Sequence, residues 1–379
     1  VVKVKIVIFG LTITSSWGNG HGTTYRALAR ALAERGHRIT FFEHNVEWYA
    51  SNRDLPEPEC CQVVLYEEWG EVLPRVHREL RDAEVAVVGS YFPEGIEAID
   101  RVADSAAVKV FYDIDTPITI AQLRSRGGTS YLRADQIPGF DIYFSFTGGP
   151  LLAEIEREFG AQRAVALYCS FDPNQYRRFA VSKEYACAMS YMGTYAPDRQ
   201  PKIEEFLCEP ARRSGQQRFI VAGPQYPASI EWPENVERVI HLNPCWHPHL
   251  YSSSRLTLNV TRRDMVMAGY SPSVRLFEAA ACGAAIVSDN WPGLENFFVP
   301  GTEILIPSGT DDVLRYMRDY SERELREIGE RAQARVLASH TNQQRALEFE
   351  SHVAAARKCR VPDLTNVQLD LSILKTREL

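Results

Sequence analysis

The chain opens on a mostly apolar stretch, Val4-Lys5-Ile6-Val7-Ile8-Phe9, which stops at Gly10 and predicts a buried strand. A polar, glycine-rich segment follows. From Thr23 the apolar positions Tyr25, Leu28, Ala29, Leu32 and Ala33 recur at the spacing of one helix face. Gly36 closes that helix, and Arg38–Glu43 reads as the next strand. Strand-like runs recur at Gln62–Tyr66, Val85–Val88, Val108–Asp113, Ile142–Phe146 and Ala164–Tyr168, with helical stretches such as Gly149–Phe159 between most of them. Alternation of this kind predicts a parallel sheet covered by helices on both faces.

A polar segment, Asp172-Pro173-Asn174-Gln175-Tyr176-Arg177-Arg178, then reads as a linker, and the pattern restarts. Strands are expected at Ala186–Met192, Phe219–Ala222, Val239–Leu242, Leu256–Val260, Ala285–Ser288 and Ile304–Ile306. Helices are expected near Pro201–Cys208, over Ser273–Cys282 and from about Thr310 to Arg357. No sequence period repeats, so the expected fold class is α/β with two doubly wound Rossmann-like domains facing across a cleft. The expected division is 1–175 for a first Rossmann-like domain and 185–340 for a second, with 341–379 a helix and tail returning to the first.

Composition narrows the function. A length of 379 residues suits two domains, and 45% hydrophobic with 24% charged residues is ordinary globular composition. A formal net charge of -7 argues against a nucleic-acid partner, which calls for a basic face. No apolar run approaches the roughly 20 residues of a membrane span, and the first residues lack the pattern of a secretory leader. The eight cysteines form no C-x-x-C pair and read as small apolar residues of a reducing cytoplasm, the expected location. Cys245-Trp246-His247-Pro248-His249 lacks the second ligand cluster that a metal site requires.

Candidate chemistry gathers in three places. Gly18, Gly20 and Gly22 allow close backbone approach to a ligand ahead of a helix N-terminus. Glu43 stands where a dinucleotide's ribose acid would, but the glycines are spaced G-x-G-x-G and lie well beyond the strand end, which weighs against NAD. His21 in that loop is a candidate base. Asp113 and Asp115 sit at the carboxyl end of a buried strand, the functional edge of a parallel sheet. Such a D-x-D pair could also hold a divalent metal, or one Asp could cap the next helix. The third place runs from Asn259 through Arg262 and Arg263 to Tyr270-Ser271-Pro272-Ser273-Val274-Arg275 and Glu278. A strand end, two arginines and a helix start collect charge and N–H donors suited to a diphosphate, with Glu278 placed to accept ribose hydroxyls. Taken alone, Arg275 and Glu278 would read as a surface ion pair.

The stretch Ser271–Gly301, with E-A-A-A-C-G-A-A-I-V-S-D and a later P-G-x-E, resembles the donor-binding region of GT-B glycosyltransferases. Together with W-G-N-G-H-G-T-T-Y-R and Y-D-I-D-T-P it is similar to the spore-maturation CgeB-like branch, over roughly residues 3 to 355. The resemblance implies that Glu278 binds donor ribose, that Gly193 and Thr194 lie beside the diphosphate, and that Arg262 and the amides of Ser273 and Val274 hold its oxygens. Many retaining members carry a second Glu eight positions before the ribose Glu; Tyr270 stands there instead, so retention is not implied.

The expected activity is metal-independent transfer of a sugar from a nucleoside diphosphate to a hydroxyl-bearing acceptor, with no tightly bound cofactor. His21 is the expected base, with Asp113 orienting it. The alternatives are an epimerase or isomerase of nucleotide sugars and a non-catalytic nucleotide-sugar-binding protein. Acceptor contacts are expected from the loops Val46–Pro58 and Thr116–Pro138.

Overall fold

The apolar runs form two sheets in which every strand pairs in parallel. The computed structural model describes residues 3–18 and 20–360. Residues 1, 2, 19 and 361–379, including most of the expected C-terminal tail, lie outside the described residues. The first sheet contains β1 (Lys5–Phe9), β2 (Arg38–His44), β3 (Gln62–Tyr66), β4 (Val85–Gly89), β5 (Val108–Asp113), β6 (Ile142–Ser145) and β7 (Ala164–Ala166). The second contains β8 (Cys187–Met192), β9 (Phe219–Ala222), β10 (Val236–Val239), β11 (Ser254–Asn259) and β12 (Ile286–Ser288).

Their orders are β3-β2-β1-β4-β5-β6-β7 and β10-β9-β8-β11-β12. Each sheet therefore reverses its winding once, between β1 and β4 in the first and between β8 and β11 in the second. At such a point neighbouring loops diverge to opposite faces and leave a crevice beyond the strand ends, where α/β proteins bind ligands. Strands buried on both faces explain the continuous apolar runs, Val85–Gly89 among them.

Several expectations need correction. The first helix begins at His21 instead of Thr23, which puts His21 in a helical turn and not in a loop. The strand expected at Val239–Leu242 is Val236–Val239, paired Val236↔Phe219 through Val239↔Ala222. Ile240–Leu242 leave the sheet, with Ile240 75% exposed. Ile304–Ile306 is no strand; single bridges join Leu305 to Val287 and Ile304 to Pro300. The supposed acceptor loop after Asp115 begins as a helix, Thr116–Arg126, ended by Gly127 at φ +73°. Pro117 in its first turn suits a helix start, while its threonines gave little helical signal.

The chain crosses between the lobes twice, and the crossings touch: Phe171 and Thr341 form a parallel bridge, with the Asn342 N–H on the Phe171 carbonyl at 2.9 Å. After the second crossing, the helix Asn342–Arg360 lies on the first lobe, where Ala346, Phe349 and Val353 join the core around Tyr25 and Phe144. Arg35 and His37 both bond Glu350 there, His37 at 2.8 Å.

The close approach of Tyr25 to β4 yields a test. Its buried hydroxyl has no partner among the described residues and fills the space of a Gly89 side chain, 1.7 Å from an ideal Cβ. Gly89→Ala should destabilise by about 1–3 kcal/mol through overpacking. Tyr25→Phe should cost little, because it removes an unsatisfied group, and should relieve part of the Gly89→Ala defect. Denaturant unfolding of the two variants and their double mutant checks this.

Candidate active site

The loops that follow β1, β4 and β5 in the first lobe face those that follow β8, β9, β10 and β11 in the second. Between them lies a cavity of about 550 Å³. Its first-lobe wall carries Leu11, Ser16, Gly18, Gly20, His21, Tyr91 and Asp115. Its second-lobe wall includes Gly193, Thr194, Arg199, His241, Arg262, Val274, Arg275 and Glu278. The lobes approach closely across it: Thr194 Oγ1 donates to the Gly18 carbonyl at 3.0 Å, and the Gly20 backbone comes near Val274.

On the second-lobe wall, the helix Val274–Ala281 points its N-terminus at the cavity, and no side chain caps it. Its first amides and its dipole favour an anion there. Arg275 is only 9% exposed. Its guanidinium bonds Asn259 Oδ1 at 2.8 Å and the Met192 carbonyl, and lies over the Tyr191 ring. Gly193 makes room for it, since a Cβ at that position would stand 2.6 Å from Arg275 Nη2. The surface ion pair that spacing alone suggested is thus replaced by a buried arginine in the cavity wall.

Glu278 is buried at 4% exposure, and burial pushes its carboxyl up to about 7 despite the nearby Tyr176 hydroxyl and Arg275. An acid so placed, facing a cavity, is suited to accept ligand hydroxyls that replace lost water. His247, also on this wall, is held neutral: burial lowers it to about 4, and its Nε2 bonds the Leu242 carbonyl at 3.0 Å.

On the opposite wall, His21 Nε2 lies 2.8 Å from Asp115 Oδ2. Asp115, not Asp113, is the partner of His21. Asp113 ends β5 with its side chain turned into the fold. Its oxygens accept from Tyr143 Oη at 2.6 Å, Thr119 Oγ1 at 2.9 Å and the Asp115 N–H at 3.2 Å. Burial raises it to about 6. With both oxygens engaged inside the fold, Asp113 does not orient His21. Asp115 occupies the N-cap position of the next helix but makes no side-chain cap bond, which leaves its carboxylate to His21.

Other expected site residues stand outside the cavity. Gly22 packs on the Ser15 carbonyl, 2.5 Å from where its Cβ would be. Arg263 is exposed, and its backbone N–H bonds Asp198 at 2.7 Å. Ser273 Oγ bonds Asn259 Oδ1 at 2.8 Å, which fixes the turn before Val274. Tyr270 and Ser271 form a seam between lobes. Tyr270, at φ +48°, wedges its ring into the space left by Gly149 and Gly293, and its carbonyl accepts from the Gly148 N–H at 3.0 Å. Ser271 Oγ bonds Thr147 Oγ1 at 2.8 Å. Glu43, considered as a dinucleotide acid, is consumed by Thr12 Oγ1, the Ile13 N–H and the Thr14 N–H at 2.7–3.0 Å.

Among the cavity residues that carried no sequence motif are Tyr91, Arg199 and Tyr251. Buried polar atoms without a hydrogen-bond partner among the described residues include His21 Nδ1, Arg199 Nε, Tyr251 Oη and Arg262 Nε (the last in a loose 3.9 Å ion pair with Asp198), all on residues that line this cavity. Orphans gathered in one place mark a site shaped for a polar ligand.

Comparison with known proteins agrees with this architecture. Residues 199–351 match the family model described as "Glycosyl transferase-like". No curated protein matches the chain by sequence. Among solved structures, sucrose-phosphate synthase from Thermosynechococcus elongatus is similar with a TM-score of 0.68 at 13% identity, covering 94% of this chain and 100% of that one. Anabaena HepE, solved with UDP and glucose, gives 0.67 at 12% identity over 93% and 100% of the chains. An α-glucosyltransferase solved with UDP-glucose and DNA gives 0.67 at 13% identity over 94% and 100%. The chain has the GT-B fold, and residues 199–351 are similar to the glycosyl transferase-like family. Among the described residues no helix is long and apolar enough to cross a membrane.

The raised Glu278 acid predicts a stability effect. A carboxyl whose folded pKa is raised gives stability that is complete below its unfolded pKa and is lost as pH rises through the folded value, here about 7. Glu278→Gln should therefore raise the Tm of the ligand-free protein little near pH 5. The gain should grow to the equivalent of about 2–3 kcal/mol by about pH 8. Calorimetric scans across that range check it.

Proposed function

We propose that this protein is a glycosyltransferase that moves a sugar from a nucleoside diphosphate to the hydroxyl of an acceptor, with the donor held by the second lobe. The observation that carries this reading is one cavity with two unlike walls. Glu278, Arg262, Arg275 and the free amides at Val274 stand on one side, and the His21–Asp115 pair on the other. Within this proposal Glu278 accepts the ribose hydroxyls. The diphosphate lies beside Gly193, Thr194 and the helix start, in contact with Arg262.

In the transfer, the acceptor oxygen bonds to the anomeric carbon as that carbon's bond to the diphosphate oxygen breaks. The bonding electron pair leaves with the diphosphate. Its growing charge falls on arginine and helix N-terminal amides already aimed at it, in place of a divalent cation. The acceptor proton passes to the His21–Asp115 pair. Asp115 is the more open member, its side chain 23% exposed against 7% for His21. The carboxylate thus meets the hydroxyl, and the imidazole supports it from behind. Direct displacement of this kind inverts the anomeric centre. The proposal keeps the likeness of the loop motifs to the CgeB-like branch.

His21→Ala should lower turnover by about two orders of magnitude, and Asp115→Asn by at least as much, with donor affinity within about twofold of the parent. Unchanged turnover in both variants removes the pair from the chemistry. The donor is found by thermal shift against nucleoside diphosphate sugars, starting with UDP-glucose, because a ligand of the folded state raises its Tm. Activity should persist in chelator.

Glu278 also makes binding depend on pH. The ribose hydroxyls need its ionised form, so affinity for UDP-glucose, which has no titrating phosphate in this range, should rise with pH and level off above about 7. Glu278→Gln should bind more weakly and lose that slope. Isothermal titration at several pH values decides it.

A further inference from the structure

The acceptor's chemical class follows from the first-lobe wall, on the premise that the second lobe holds the donor. The arginines that line the cavity, Arg199, Arg262 and Arg275, all belong to the second lobe. Among the described residues the first-lobe wall has neither Lys nor Arg, and its acidic group is Asp115. Two first-lobe arginines that brace the glycine-rich loop do not line the cavity. Arg26 grips Asp54 at 2.7 and 2.9 Å, and Arg53 bonds Thr14 and Asn45. An anionic acceptor brought to Asp115 would meet like charge, with no lysine or arginine on that wall to offset it and His21 already engaged by Asp115.

Tyr91 supplies what the wall offers instead. It follows β4 at the winding reversal with φ +62°, a left-handed conformation costly for any residue but glycine. Its ring packs on the buried Tyr131, centroids 4.9 Å apart, and stands edge-on to His21 at 5.7 Å. A rigid aromatic plate beside the proton-accepting pair suits the apolar face of a ring.

We propose that the acceptor is an uncharged, ring-bearing hydroxyl compound, a neutral sugar or glycoside, that lies on Tyr91 with its reactive hydroxyl toward Asp115. Sugar phosphates, anionic lipids and nucleic acids are rejected by this wall.

The test uses the full chain saturated with UDP and ligand-observed NMR. The neutral probes are methyl α-glucoside, maltose and cellobiose; the anionic ones are glucose 6-phosphate and a short single-stranded DNA. At least one neutral probe should bind and the anionic ones should not. Tyr91→Ala should weaken the neutral probe by about tenfold, and Tyr91→Phe should retain it, with UDP affinity unchanged in both. The proposal is overturned if an anionic probe binds as well as the neutral ones, if no neutral probe binds, or if Tyr91→Ala leaves neutral binding intact. Should Tyr91→Ala unfold, Tyr91→Gly, which suits the positive φ and also removes the ring, decides the same point. Failure of UDP itself to bind identifies the donor reading, and not the acceptor class, as the error.

Discussion

Two sheet edges can share one ligand only while the lobes stay in register, and in this protein the seam at Tyr270 and Ser271 maintains that register. Neither lobe supplies the whole cavity wall. The arginines come from the segments after β8 and β11, and the His21–Asp115 pair, the proton acceptor of the proposed function, from the loop after β5 and the start of the helix after β1. The Tyr270 ring requires glycine on each side, Gly149 in one lobe and Gly293 in the other. By the resemblance to GT-B enzymes, many retaining members place a glutamate at this position. Here the position is committed to lobe-to-lobe contact; under the proposed function, contact with the donor falls to Glu278, Arg275 and the helix start.

Burial treats the acids of this protein in two ways. Asp113, Asp289 and Glu278 are all raised by desolvation. Asp113 is surrounded by donors from its own fold, and Asp289 accepts from Thr261 through both N–H and hydroxyl at 3.0 Å. Both are structural, because protein groups already satisfy them. Glu278 borders the cavity with only Tyr176 and Arg275 to offset its burial, which under the proposed function a ligand's hydroxyls relieve. Desolvation alone does not separate a structural acid from a functional one; the direction in which it still needs donors does.

Much of this was legible in the sequence, and the boundary has a physical cause. Alternating apolar runs gave both sheets, because strands buried on two faces must be continuously apolar. The helix start at Val274, with Arg275 and Glu278, was readable because its parts are consecutive and one helical turn brings them together. The His21–Asp115 pair was half seen. D-x-D spacing cannot tell which aspartate faces the cleft, since that depends on where β5 ends and the next helix begins. Asp113 still belongs to the strand and turns to Tyr143, whereas Asp115 has left it. Tyr91, Arg199 and Tyr251 went unnoticed as single residues without a pattern. The available signal for Tyr91 was its place just past an apolar strand at the winding reversal.

The paired crossings at Phe171 and Thr341 limit how such a molecule can move. Two adjacent connections joined by a bridge tether the lobes along a single line, and any swing of one lobe against the other would turn about it. A swing of this kind also has to unseat the Tyr270 ring from its two glycines, which makes that small aromatic plug the catch on the door.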